Sequence, residues 1–252
     1  MILANIYPIK NQKYYKEERV VMLLAHLISH YNPAYFNEDQ FIILDNGIYE
    51  NAQVSTDIRD LIAMADNCGI PVDELVIPDK FFDTDETIRL FESNLEAIRE
   101  NSDRYSFMFV AHHNNFNDFV RIMEYINKYK DDKSLNITVG IPKKALFSRE
   151  CDEAIEIYKK CPYPIHFLGV ADNTPLKDLS KVQDLVRSCD TSQIVTMIKN
   201  NTENVDILSW VRKKEDTPID LENDFIDESR IEKCIYEEFD KSIIRNFLGI
   251  LD

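Results

Sequence analysis

The chain has 252 residues, 44% of them hydrophobic and 11% aromatic, the make-up of a folded globular protein with enough length for one large core. A formal net charge of −16 argues against a protein that coats nucleic acid through a general basic footprint, although it leaves room for a local basic path. No apolar run approaches the roughly 18 residues that cross a bilayer, and five scattered cysteines without a close pair argue against a disulfide framework or a cysteine zinc site, so a reducing cytosol is expected.

Met1–Tyr7 lacks the basic region and cleavage site of a signal peptide and reads as a first strand. From Glu17 to Tyr31 the apolar residues Val20, Val21, Leu24, Leu27, Ile28 and Tyr31 fall at helical spacing, and Asn32-Pro33 ends the segment. His26 and His30 stand one helical turn apart. No acidic or cysteine partner follows them, so a surface pair is expected rather than a metal site.

Ile42-Ile43-Leu44-Asp45-Asn46-Gly47 is a buried-strand pattern that stops at a carboxylate and a glycine turn. The pattern then repeats. Glu74–Ile77 leads to Pro78-Asp79, Phe107–Ala111 to His112-His113, Ile137–Val139 to Gly140, Ile165–Leu168 to Gly169 and Asp172, and Ser188-Cys189 to Asp190. Between these runs lie helical stretches predicted from Ser55-Thr56 to Asn67, and over Thr84–Asn101, Asn117–Lys130, Ser148–Lys160, Leu176–Leu185 and Ile194–Asn201.

Strands alternating with helices predict parallel β-α units and a TIM-like (β/α)8 barrel. Seven strands precede residue 195, and an eighth is expected near Val205–Trp210. Residues 1–212 would form the catalytic barrel and 213–252 a helical C-terminal extension packed on it.

In such a barrel Asp45, Asp79, His112, His113, Asp172 and Asp190 converge at the carboxyl ends of the strands, where these folds keep their sites. Each has an ordinary explanation as a cap or turn residue. Thr174 and Ser192 are alternative caps that release Asp172 and Asp190 from that duty. Three of only five glycines, Gly47, Gly140 and Gly169, fall at the same strand ends.

Two chemistries suit the bowl. One is a divalent metal that activates water; the chain has no H-x-H or H-x-x-E pattern to support it, and neither a metal nor another cofactor is expected. The other is a carboxylate pair acting on a glycosidic carbon.

The ordered set Asp45-Asn46-Gly47, Asp79, Val110-Ala111-His112, Gly140, Leu168-Gly169-Val170 and Cys189-Asp190-Thr191 resembles the tRNA-guanine transglycosylase superfamily over about residues 40 to 195. That family carries D-S-G-G, a later aspartate, G-I-V-Q-G-G, a glycine strand end, M-G-V-G and F-D-C in this order. The resemblance implies Asp190 as nucleophile at the sugar C1′ and Asp45 as acid/base or base-orienting group. It also implies Asn46, Gly47, Asp79, His112, His113, Gly140, Gly169 and Asp172 as the surroundings of a purine-like base.

Ile48 replaces the second motif glycine, His112 replaces the glutamine, and the C-terminal zinc site has no counterpart. The compact, zinc-less form is similar to phage and bacterial relatives that insert 7-deazaguanine into DNA, which sets DNA ahead of tRNA as substrate and a bacterial or phage-infected cytosol as location. Lys143, Lys144 and Arg149 would form the phosphate path on the rim. A partner protein or a homodimer is compatible with this reading. The alternatives are a nucleosidase or base hydrolase on small nucleosides, a metal-dependent barrel hydrolase, and a non-catalytic binding barrel.

Overall fold

The computed structural model describes residues 2–48, 55–142, 151–169, 186–191, 196, 199–200, 220–226 and 229. Eight strands form one sheet: β1 (Ile2–Asn5), β2 (Val20–Leu24), β3 (Phe41–Asp45), β4 (Glu74–Val76), β5 (Ser106–Val110), β6 (Ile137–Pro142), β7 (Ile165–Leu168) and β8 (Val186–Thr191). Every pairing is parallel, and the hydrogen-bonded order is β1-β8-β7-β6-β5-β4-β3-β2. With helices between the strands, this is a nearly closed (β/α)8 barrel whose seam lies between β1 and β2.

The strand near the amino end differs from the expectation. Val20–Leu24 is β2, and Ala25–His30 is a 3-10 turn, where the spacing predicted one helix. All five residues of β2 are buried, as a parallel strand covered on both faces requires, and adjacent β-branched Val20 and Val21 favour the pleat. The apparent helical period combined a strand with the turn that follows it. The eighth strand of the barrel is therefore β2, and the expected strand at Val205–Trp210 falls outside the described residues.

No regular helix joins β1 to β2; a 3-10 segment, Ile9–Glu17, takes its place. Tyr7, Tyr15, Tyr31 and Phe36 pack their rings edge to face or tilted around it. Gln40 Nε2 donates to the carbonyls of Tyr15 and Glu18, which anchors the entry to β2. Side chains then tie the seam: Asn5 Nδ2 and Tyr7 Oη both donate to Glu18 Oε1, at 3.0 and 2.7 Å.

Among the described residues the helices α1 (Ile58–Asn67), α2 (Thr84–Asn101), α3 (Phe116–Asn127) and α4 (Cys151–Lys160) lie close to their predicted spans. The cap of α1 is Asp57, which accepts from the Arg59 amide, rather than Ser55 or Thr56. Asp83 and Asn115 cap α2 and α3 in the same way, so three polar residues each satisfy an amide the helix leaves open. The predicted helix at 176–185 lies outside the described residues, as do most of that at 194–201 and most of the C-terminal extension at 213–252.

Strand alternation separates two apolar layers. Val21, Leu23, Ile42, Leu44, Leu75, Phe107, Phe109, Val139, Ile141, Phe167 and Cys189 face the helices. Ala4, Val20, Met22, Ile43, Val76, Met108 and Val110 fill the barrel lumen. By the same alternation Glu74, Thr138, His166, Ser188 and Asp190 also point inward, and all five are buried. Among the described residues, no helix is long and apolar enough to cross a membrane.

Candidate active site

Parallel strands deliver their carboxyl ends to one rim, so Asp45, Asp79, His112, Gly169 and Asp190 share one mouth. Asp190, fifth residue of β8, sits beside β7. Its Oδ1 accepts from His166 Nε2 at 3.1 Å and from the Gly169 amide at 2.9 Å. Gly169 has φ +66°, a left-handed conformation that glycine adopts at little cost, and no atom of the described residues lies within 4 Å of its Cβ position. Among the described residues nothing bonds Oδ2 of Asp190. One carboxylate oxygen is held by two donors.

A second cluster lies across β3, β4 and β5. His112 Nε2 meets Asp79 Oδ2 at 2.5 Å, and Asn46 Nδ2 donates to Asp79 Oδ1 at 2.6 Å and to the Ile77 carbonyl at 3.0 Å. Asn46 Oδ1 also accepts from the Ile48 amide. Asp79 thus binds both Asn46 and His112, where the family resemblance points Asn46 and Asp79 toward a base. His112 Nδ1 is buried without a hydrogen-bond partner among the described residues. With Nε2–H donating to the carboxylate, a neutral ring leaves Nδ1 as an acceptor. The partly exposed ring of Phe81 stands edge-on to His112 at 5.3 Å. Beside it Phe82 holds a strained φ of 58°, its carbonyl accepting from Asn114 Nδ2.

Asp45 closes β3 and accepts from the Gly47 amide at 3.0 Å, a two-residue turn that needs the φ of +76° found at Gly47. His26 packs directly over that glycine. Partial burial lowers the pKa of His26, with Glu222 acting in the opposite sense. His26 and His30 leave the barrel on the 3-10 turn after β2.

Two further expected site residues lie in packed surroundings. His113 Nδ1 donates to the Ala111 carbonyl at 2.8 Å, and its ring lies against Phe119 of α3. Gly140 lies inside the barrel, where an added Cβ would meet Met108 Sδ at 2.9 Å and Leu168 Cδ1 at 3.1 Å. Lys143, Lys144, Arg149 and Asp172 fall outside the described residues. Among those described, no group of three or more His, Cys, Asp and Glu side chains is placed to hold a metal ion.

Sequence reading passes over His166, Ser188, Arg187 and Glu74. Arg187 donates from Nη1 and Nη2 to the two oxygens of Glu74, at 3.1 and 2.5 Å, and from Nη1 to Thr138 Oγ1 at 3.1 Å. Its guanidinium stacks 4.6 Å from the Phe41 ring centre. This group fills the amino end of the lumen beneath the mouth. The available signal was alternation: a histidine inside an apolar strand, and Ser188 and Asp190 two residues apart on one face.

No family model matches the chain, and no curated protein does. Among solved structures the chain is similar to an aldo-keto reductase from a Medee basin deep-sea metagenome library, at 11% identity and TM-score 0.47 over 96% of this chain and 94% of that one. It is similar to the HpcH/HpaI aldolase of Desulfitobacterium hafniense DCB-2 at 12% identity and TM-score 0.49, over 81% and 90% of the two chains. N-acetylneuraminate lyase of Mycoplasma synoviae matches at 11% identity and TM-score 0.43, over 81% and 74%. The fold assignment rests on the eight parallel strands themselves, and no activity is carried over from these likenesses.

Proposed function

We propose that the protein is a pentosyltransferase that exchanges guanine in a nucleic acid, DNA ahead of tRNA, for a 7-deazaguanine base. The observation that carries this reading is Asp190: a buried carboxylate at the barrel mouth with Oδ1 fixed by two donors and Oδ2 without a bond among the described residues. A nucleophile held in this way is positioned for attack from the second oxygen.

In the proposed reaction Asp190 Oδ2 bonds to C1′ of a guanosine or deoxyguanosine unit. The C1′–N9 bond breaks, its electron pair leaves with guanine, and Asp45 supplies a proton to the leaving base. The entering 7-deazaguanine gives its N9 proton back to Asp45, and N9 attacks C1′ as the bond to Asp190 breaks. Two inversions give net retention. A base stacked in a duplex is out of reach, so the target is flipped or single-stranded, at a few kcal/mol. Phe81 at the rim offers a ring face against which such a base can stack.

The test is incubation of the protein with guanine-containing DNA or tRNA and radiolabelled guanine, read on a denaturing gel. Label enters one polymer and is lost in Asp190→Ala. Retained exchange in that variant refutes the assignment of Asp190. Absence of label from both polymers, with release of base from free nucleosides, would replace the reading with a nucleosidase, a substrate class better suited to a net charge of −16.

A further inference from the structure

β7 and β8 do not pair in simple register. Ile165 faces Val186 and His166 faces Ser188, which leaves Arg187 as an extra residue in β8. A bulge of this kind re-aims side chains. Here both Arg187 and Ser188 reach the lumen. Arg187 runs down to Glu74, which is 0% exposed, and Ser188 meets His166, also 0% exposed.

The hydrogen bonds of these residues have one consistent direction. A guanidinium only donates, so Arg187 Nε gives its proton to Ser188 Oγ, at 3.3 Å. Asp190 Oδ1, a carboxylate oxygen 3.1 Å from His166 Nε2, only accepts, so His166 gives it the proton on Nε2. In a neutral ring Nδ1 then accepts from the Ser188 hydroxyl, at 2.8 Å. The bidentate grip of Glu74, the bond to Thr138 and the stack on Phe41 keep the guanidinium from rotating away.

We propose that His166 is a positioning residue for Asp190, and that Ser188, held in place by the Glu74–Arg187 pair, supports its Nε2–H tautomer from the Nδ1 side. The chain Arg187→Ser188→His166→Asp190 orients one oxygen of the carboxylate and turns the other toward the mouth. The tautomer is a property of the fold, whereas the consequence for catalysis rests on the base-exchange reading. The two are therefore separable by experiment.

The experiment has two arms on the full-length protein. In the first, ¹⁵N-histidine-labelled protein is examined at neutral pH by long-range proton–nitrogen correlation, the His166 signals being assigned from His166→Gln. The expected spectrum shows Nδ1 unprotonated and Nε2 protonated. Ser188→Ala, which removes a single hydroxyl, should shift the ring toward a tautomer mixture. An Nδ1–H tautomer or a doubly protonated ring in the wild type overturns the proposal, as does an unchanged tautomer in Ser188→Ala.

In the second arm, His166→Leu lowers kcat by on the order of 100-fold while KM for the polymer changes little, as expected when a reacting group loses its orientation. His166→Gln, whose amide can still donate to Asp190, recovers most of that loss. Equal kcat in the Leu and Gln variants refutes the positioning role. If the wild type exchanges no base at all, the base-exchange reading fails and the spectrum alone decides the relay.

Discussion

Replacement of Arg187 by methionine isolates the role of the ion pair at the amino end of the lumen. Methionine keeps most of the apolar stem, so little cavity is created, but the guanidinium disappears from a carboxylate that has no solvent contact. Glu74 loses both donors, Thr138 loses one, and the stack on Phe41 is lost. Removing one partner of a buried ion pair costs about 3–5 kcal/mol because the other charge stays buried. The lost cation–π contact adds about 0.5–1 kcal/mol, the lower range applying because the Arg187 side chain is 25% exposed. Against a typical domain stability of about 5–15 kcal/mol this is a large fraction.

Urea unfolding followed by circular dichroism measures the loss as a lower midpoint at unchanged slope. The double variant Glu74→Met/Arg187→Met should recover most of it, since two apolar residues of similar volume replace an ion pair at little net cost. A loss below about 1 kcal/mol in the single variant, well under the range for a broken buried pair, would refute the reasoning. So would a double variant no more stable than the single one.

Further predictions concern the mouth and the seam. Gly47→Ala forces a left-handed alanine and sets its Cβ 2.7 Å from His26 Nδ1, so a loss of at least 1–2 kcal/mol is expected in chemical unfolding, roughly the strain alone; His26→Ala in the same chain should return the steric part. Gly169→Ala meets no neighbour among the described residues, so a penalty of backbone strain, about 1–2 kcal/mol, is expected, and on the proposed reading base exchange should fall if the Gly169 amide helps hold Asp190. Asp79→Asn leaves one acceptor oxygen for two donors, His112 Nε2 and Asn46 Nδ2, and on the proposed reading should raise KM for the entering base more than it lowers kcat.

At the seam, burial raises the pKa of Glu18, while the bonds from Asn5 and Tyr7 act the other way. The folded chain therefore keeps this proton to higher pH than the unfolded chain. The stability that Glu18 contributes is present below the ordinary carboxylate range and is lost as pH rises through the raised folded value. Glu18→Gln should flatten that decline, measured as unfolding free energy against pH, and an unchanged slope would rule Glu18 out as its source.

Much of the barrel was legible in the residues alone. Apolar runs such as Ile42–Leu44 and Phe107–Ala111 can bury both faces only between helices, and polar residues at their ends can stand only at the rim. The cap residues and apolar periods of α2 and α3 are local signals of the same kind, since a helix is decided by neighbours within one turn. Val20–Leu24 was not legible: five apolar residues satisfy a helix face and a strand equally, and only pairing with β3 chooses between them.

The site divides in the same way. Asp45, Asp79, His112 and Asp190 announce themselves by position in the chain. Which of them meet does not, because Asp79 finds His112 thirty-three residues on and Asp190 finds His166 twenty-four back, through parallel register. The bulge that turns Arg187 into the lumen depends on how β7 and β8 slip past each other. That slip is a property of packed strands, and Arg187, Ser188 and His166 acquire a common direction only once the barrel has closed around them.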